Sequence, residues 1–124
     1  MDWRDEVISD VGKGIGVENL TFGESGVISI DFESERTLYL ERQEEGVLIY
    51  MVQGLSRFDA SKSLIHALRK CHYTQSLMLP LQAGLKGEEE LVWLIYLDNE
   101  QFAQPTIESA IEILIRQSEQ LSAA

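Results

Sequence analysis

The sequence predicts an α+β protein: an antiparallel five-stranded sheet with three helices, in the order α-β-β-β-α-β-β-α. Helical periodicity occurs three times, near both ends of the chain and in its middle, and strand patterns occupy the stretches between. The strands fall into a run of three and a run of two, with helices on one side, which is typical of α+β domains. With 124 residues, the chain has the length of a single domain, residues 1–124.

The first predicted helix runs from Asp2 to Ile15. Its apolar residues recur at helical spacing, and carboxylates in its first turns favour the helix dipole. The glycine-rich segment 12–16 resembles a phosphate-binding loop only superficially, because such a loop follows a strand and opens a helix, whereas this segment closes one. We therefore predict helix termination here and no nucleotide site.

Three strands follow, joined by short polar links that predict hairpins in an antiparallel meander. Residues 27–32 and 37–42 alternate, and the second of these strands has leucines on one face and Tyr39 on the other. Residues 47–53 are apolar on both faces, so both faces of that strand should be covered. The core covers one face, and either a partner or a helix of the same chain covers the other.

The second half of the chain predicts a helix, two strands and a last helix. Asp59 or Ser61 can cap the second helix, which should run to about His72. The strand over residues 77–86 contains a proline, which cannot donate a ladder hydrogen bond, so this strand should lie at an edge or be bulged. Residues 91–97 are the most apolar run and predict the central strand. Pro105 then opens the last helix.

Charge and cysteine content exclude several function classes. The net charge of −11 repels phosphate backbones and anionic membrane surfaces, and no basic patch offsets it, so we expect no nucleic-acid partner. A single cysteine allows no intramolecular disulfide, which agrees with a reducing cytosol. The N-terminus lacks the pattern of a signal peptide, and no stretch is long and apolar enough for a membrane span. We therefore predict a cytoplasmic protein.

The candidate chemical groups favour a protein that is not an enzyme. On a helix, His66 and His72 point to roughly opposite faces, so the pair with Cys71 between them does not form a metal or nucleophile site. Acidic runs such as residues 88–90 fit solvated turns. We predict no catalytic, cofactor or metal residues. The alternative is a small α+β ligand-binding domain or enzyme of unknown substrate, which a polar cluster in a deep pocket would favour.

Large amphipathic side chains are more numerous than the outer faces of the elements require. Trp93 fits the core, whereas Tyr39 and Tyr50 alternate outward and fit a contact surface. Several motifs, together with the element order and the acidity, then resemble a known family, the class I type III secretion chaperones and in detail their SycN-type members. These motifs are Met1-Asp2-Trp3, Leu38-Tyr39-Leu40-Glu41, Leu79-Pro80-Leu81, Ala83-Gly84, Gly87-Glu88, Leu91-Val92 and Leu97-Asp98.

This resemblance implies a chaperone dimer that needs no cofactor. Its substrate would be the non-globular N-terminal segment of a secreted gatekeeper or effector protein, held in extended form and kept soluble and secretion-competent. Its dimer partner would be a second small chaperone or another copy of itself, and the secretion apparatus would bring the complex to the inner membrane. The family's dimer contact would fall on Leu64, Leu68, Cys71, Leu77, Leu79 and Leu81.

The predicted substrate surface combines the first helix with the first three strands. We expect the extended segment to lie over a helix that carries more large apolar residues than one narrow stripe needs, and over the outward faces of the strands. The residues predicted to contact it are Trp3, Val7, Val11, Tyr39 and Tyr50.

Overall fold

The predicted element order is confirmed in the computed structural model of the chain, which describes residues 3–32, 35–55, 60–73, 81–87 and 89–123. The first helix and the three-stranded meander lie close to their predicted bounds. The second helix contains Ser61 and begins one residue before it. The elements are α1 Trp3–Gly14, β1 Val27–Phe32, β2 Arg36–Arg42, β3 Gly46–Gly54, α2 Ala60–Tyr73, β4 Gln82–Lys86, β5 Glu90–Asp98 and α3 Gln104–Ala123.

The five strands form one antiparallel sheet in the order β1-β2-β3-β5-β4. The prediction that β5 is the central strand was wrong, because β3 has the middle position and β5 lies between β3 and the edge strand β4. β3 pairs with β2 through a hairpin and with β5 along its other edge. The edge position of β4 was predicted from Pro80, which itself lies outside the described residues, as do Leu77 and Leu79.

All three helices pack on the same face of the sheet, which we call the helix face. The buried apolar residues form one cluster, and α1, α2 and α3 all contribute to it. One residue from each helix shows this packing: Ile8 of α1, Ala67 of α2 and Leu114 of α3 are all completely buried, which removes their apolar surface from water. The strand residues of this cluster all share one face: Ile28, Leu38, Leu40, Val47, Ile49, Met51, Leu91, Trp93, Ile95 and Leu97.

Buried polar contacts fix α1 against the sheet. The guanidinium of Arg4 donates to the carbonyl oxygens of Gln43 at 2.7 Å and Gly46 at 3.0 Å, so it binds the β2–β3 hairpin. The Asp5 carboxylate accepts a hydrogen bond from the backbone N–H of Phe22 at 2.9 Å. Unpaired, these buried charged groups would be costly, so the contacts hold α1 in one position.

A second polar network joins α3 to the same face of the sheet. The indole N–H of Trp93 donates to Gln53 Oε1 at 3.0 Å, and Gln53 Nε2 donates to the Ser118 carbonyl oxygen at 2.7 Å. Arg36 donates to the Ser118 hydroxyl at 2.9 Å. Because Trp93, Gln53 and Ser118 are all buried, the network fixes the position of α3 along the strands.

Candidate functional site

The sheet has a second apolar face, which we call the back face. It consists of the residues that alternate with the helix face on β2, β3 and β5. Within the described residues, the back face contributes nothing to the core cluster that the helices complete. An apolar sheet face that the core does not use is a candidate protein-binding surface. Tyr96 is exposed and Val52 is buried, while the other members are half-buried. The members are Tyr39, Leu48, Tyr50, Val52, Val92, Leu94 and Tyr96.

Tyr39 and Tyr50 lie at the centre of the back face, as the alternation predicted. They are direct partners across β2 and β3, and their rings stack with centroids 5.0 Å apart and planes 17° from parallel. The Tyr50 hydroxyl donates to Glu41 Oε2 at 3.3 Å. Burial raises the pKa of Tyr50, and the Glu41 carboxylate raises it further, so the hydroxyl remains a neutral donor at physiological pH. The stack is a preorganised aromatic platform.

The predicted residues of α1 lie on the other side of the sheet. Trp3 is 48% exposed, and its ring meets Phe102 edge-on with centroids 5.7 Å apart. Val7 is half-buried, whereas Val11 is fully buried in the core. Val11 therefore offers no surface to a partner in this structure. The structure brings Tyr39 together with Tyr50 but separates both from Trp3, because α1 packs on the helix face.

The predicted dimer residues divide into exposed and buried groups. Leu68 is 48% exposed and Leu64 is half-buried, whereas Cys71 and Leu81 are buried in the core of the chain. Ile65, which is 52% exposed, was not among the predicted dimer residues, although it lies three positions before Leu68 and so shares a helix side with it. Together with the exposed Leu85 of β4, the edge strand that α2 contacts, these residues form what we call the α2/β4 patch: Leu64, Ile65, Leu68 and Leu85.

Cys71 and buried Leu81 cannot reach a partner without movement of this chain. The helical periodicity explains the division, because Ala60, Leu64, Ala67 and Cys71 repeat every three or four positions and form the stripe that packs inward. The exposed residues Ile65 and Leu68 lie on an adjacent stripe of α2. The sequence showed one broad apolar surface, and only the packing of α2 against the sheet assigns its two halves.

The described residues show no arrangement suited to catalysis. No group of three or more His, Cys, Asp or Glu side chains in the described ranges could hold a metal ion. His66 is exposed while Cys71 is buried, so the two do not share a site. The segment after α1 ends the helix as predicted, with Gly16 at a φ of 86°. A hollow of about 570 Å³ beside Glu35, Lys86 and Glu89 is open to solvent and is not a deep pocket.

The thiol of Cys71 should react slowly with thiol reagents in the folded protein. Burial raises the pKa of the Cys71 thiol, which lowers the fraction of reactive thiolate. We expect an aromatic disulfide reagent at pH 8 to label Cys71 at least about a hundredfold faster in denaturant than in buffer. Cys71→Ser should leave partner binding within a few-fold. Rapid labelling of the folded protein would contradict this assignment of Cys71 to the core.

No helix in the described part of the chain combines the length and the apolarity that crossing a bilayer requires. The exposed large apolar side chains belong to α1 and the residue after it, to the start of β1, to the α2/β4 patch and to the back face: Trp3, Ile15, Val27, Ile65, Leu68, Leu85 and Tyr96. Apolar side chains of this kind on a protein surface are candidates for contact with other polypeptides.

Comparisons with known proteins give the family of the chain. A sequence model of the family described as "Type III secretory system chaperone SycN" matches residues 3–121. The chain is 27% identical over 123 residues to the chaperone protein SycN of Yersinia enterocolitica, covering 99% of each chain. A SycN protein of Yersinia pseudotuberculosis matches with the same identity and coverage.

Solved structures share the fold at low sequence identity. The Yersinia pestis type III secretion chaperone SycH, solved in complex with a stable fragment of YscM2, matches with a TM-score of 0.70 and 15% identity over 95% of this chain and 98% of that one. The HopA1–SchA chaperone–effector complex contains a chain that matches with a TM-score of 0.73 and 13% identity, covering 100% of this chain and 99% of that one. The five-stranded sheet with three helices is therefore the fold of these proteins.

Proposed function

Because the chain belongs to the SycN family of type III secretory system chaperones, we propose that it binds the non-globular N-terminal segment of a secreted protein and keeps that segment soluble and secretion-competent. The family is one of chaperones, and the chain is not an enzyme. The observation that carries the proposal is the apolar back face with its stacked tyrosines on the side of the sheet opposite the core.

An extended segment suits the two separated surfaces better than a compact partner does. The back face and Trp3 lie on opposite sides of the sheet, so one chain contacting both must pass around an edge. The edge strands β1 and β4 can also pair with an added strand through their outer backbone groups. Chaperone–effector complexes among proteins of the same fold agree with such a partner.

The partners proposed are a gatekeeper or effector protein and a second chaperone subunit. The second subunit is either another small chaperone, giving a heterodimer, or a second copy of this chain. The α2/β4 patch supports the dimer, because it adds exposed aliphatic side chains on a helix next to an edge strand. We place the complex in the cytoplasm, and at the inner membrane when the secretion apparatus receives the substrate.

Light scattering should give the purified protein, alone or with a co-purifying small chaperone, a mass above the 14.0 kDa of one chain. Replacing Ile65 and Leu68 together by Glu should weaken association by about a hundredfold or more, since each loses roughly 1.5–3 kcal/mol of apolar burial. Lys62→Gln, which changes the charge of the same helix by one unit, is the control and should leave the mass unchanged. A stable, cooperatively melting 14.0 kDa wild-type monomer would contradict the dimer.

The proposed function is tested by capture and truncation. The tagged chain is recovered from the native bacterium, and mass spectrometry identifies the secreted protein that accompanies it. Calorimetry then compares that protein's N-terminal region with the remainder of its chain. We expect the N-terminal region to bind with full affinity and the remainder not to bind. Binding that requires a folded domain outside the N-terminal region would refute the proposal.

A further inference from the structure

A small apolar groove lies between the end of α1 and the middle of α3. Ile15 directly follows α1 and is 44% exposed, and it faces Ile111 and Ile115 of α3 across the groove. The groove has a volume of about 180 Å³. Since a cavity of about 150 Å³ accommodates benzene, this groove has room for one large aliphatic or aromatic side chain. It lies on the helix side of the sheet, away from the back face.

The helical repeat of α3 builds both the floor and the rim of the groove. Positions 108, 111, 112 and 115 have the i, i+3, i+4, i+7 spacing of one helix face. The two isoleucines form the floor, and the exposed carboxylates of Glu108 and Glu112 form the rim. α1 comes close to the rim at Gly14, where a Cβ would lie 3.2 Å from Glu108 Oε1.

The charge of the rim indicates the chemistry of the occupant. Glu108 Oε1 accepts a hydrogen bond from the side-chain amide of Gln104 at 3.0 Å, and because that amide is neutral, it does not compensate the negative charge of Glu108. Glu112 pairs with Arg116, but both side chains of that pair are more than half exposed, and exposed pairs of this kind contribute little and exchange readily. The net charge of −11 adds a field that attracts cationic segments.

We propose that this groove binds one apolar anchor side chain of the secreted partner, a leucine, isoleucine or phenylalanine that has Lys or Arg residues on both sides of it. The anchor fills the space between Ile15, Ile111 and Ile115, and the flanking cations pair with Glu108 and Glu112. The inference rests on the proposed function and specifies the kind of segment that the chaperone selects.

The probe is a 13-residue peptide with one central leucine flanked by lysines, compared with the same peptide in which glutamates replace the lysines. Methyl NMR of the isoleucine-labelled full chain, in its native assembly, follows the signals of Ile15, Ile111 and Ile115 during titration. We expect the lysine peptide to shift these signals saturably and the glutamate peptide to leave them unchanged. Glu108→Gln combined with Glu112→Gln should lower the affinity of the lysine peptide by about three- to tenfold, which is the effect expected from the loss of two exposed ion pairs.

The control is Glu44→Gln combined with Glu45→Gln, which removes the same charge from two exposed residues of the β2–β3 hairpin and should change the affinity less than twofold. Ile15→Ser should abolish the saturable shifts. Equal binding of both peptides, or equal effects of the two charge variants, would overturn the inference. So would Ile15 signals that respond to the concentration of the chain itself and not to peptide, because a second copy would then occupy the groove.

Binding of the captured N-terminal region to the groove variants separates the role of the groove from the chaperone function. If the groove variants bind the captured N-terminal region as wild type does, the groove assignment is refuted while the chaperone function stands. If the chain binds no N-terminal region of a secreted protein, the proposed function fails whatever the peptide titration gives.

Discussion

Replacing Trp93 by Ala is expected to lower the free energy of unfolding by about 3–5 kcal/mol. Trp93 is completely buried at the centre of the helix face, and its indole N–H donates to Gln53 at 3.0 Å. The substitution therefore removes both a large apolar volume and a buried donor of the network that fixes α3. Since the total free energy of unfolding of a small domain is only about 5–15 kcal/mol, the variant should be close to unfolding at 25 °C. Urea titration followed by circular dichroism measures the change.

The second tryptophan of the chain provides a matched control. Trp3 is half-exposed and makes one edge-on contact with Phe102, so Trp3→Ala should cost only about 1 kcal/mol. Trp93→Phe should be intermediate, because it keeps most of the apolar volume but loses the indole N–H and part of the ring. Equal destabilisation by Trp3→Ala and Trp93→Ala would contradict the assignment of one tryptophan to the surface and the other to the core.

Truncating the aromatic residues of the proposed substrate surfaces is expected to cost ~2 kcal/mol or more of binding energy for each anchor. The variants are Trp3→Ala, Tyr39→Ala and Tyr50→Ala, each shown to be folded before calorimetry with the N-terminal region of the secreted partner. If the segment becomes ordered when it binds, the heat-capacity change of binding should be negative. An exposed carboxylate such as that of Glu44 should contribute little and serves as the control.

The arrangement of the anchors also predicts which effects add. Tyr39 and Tyr50 stack at 5.0 Å, so their losses should be coupled by about 0.5–1.5 kcal/mol in a double-mutant cycle. Trp3 lies on the other side of the sheet, so its loss should add to that of Tyr50 within about 0.5 kcal/mol. If all three variants bind like the wild type, the chosen surfaces are wrong even though the family assignment remains.

Local patterns were sufficient to predict the elements, and long-range packing explains what they missed. Alternation in β1 and β2 predicted which side chains point outward, including Tyr39, because side-chain direction in a strand depends only on sequence parity. The middle position of β3 depends instead on pairing between strands far apart in the chain. Its apolar character on both faces was the available signal, but the stronger hydrophobicity of residues 91–97 outweighed it.

Long-range packing also explains why the candidate surfaces were only partly predicted. Val11 and Cys71 have the residue types and the helical spacing of a contact stripe, and both were predicted on binding surfaces. Burial depends on which side of a helix meets the sheet, and Ile65 and Cys71 lie on different sides of α2, so the first is exposed and the second is buried. The groove beside Ile15 was not predicted either, since it requires the end of α1 to meet the middle of α3.

A chaperone of this kind should order a segment that is unfolded by itself, and an amide spectrum shows this directly. The N-terminal region of the captured secreted protein is labelled with ¹⁵N and its amide spectrum is recorded alone and with the full-length chaperone in its native assembly. We expect narrow, unfolded-type signals for the free segment and dispersed signals for a contiguous stretch of it in the complex. A free segment that already shows the dispersed spectrum of a folded domain, or a spectrum that the chaperone leaves unchanged, would contradict binding of a non-globular segment.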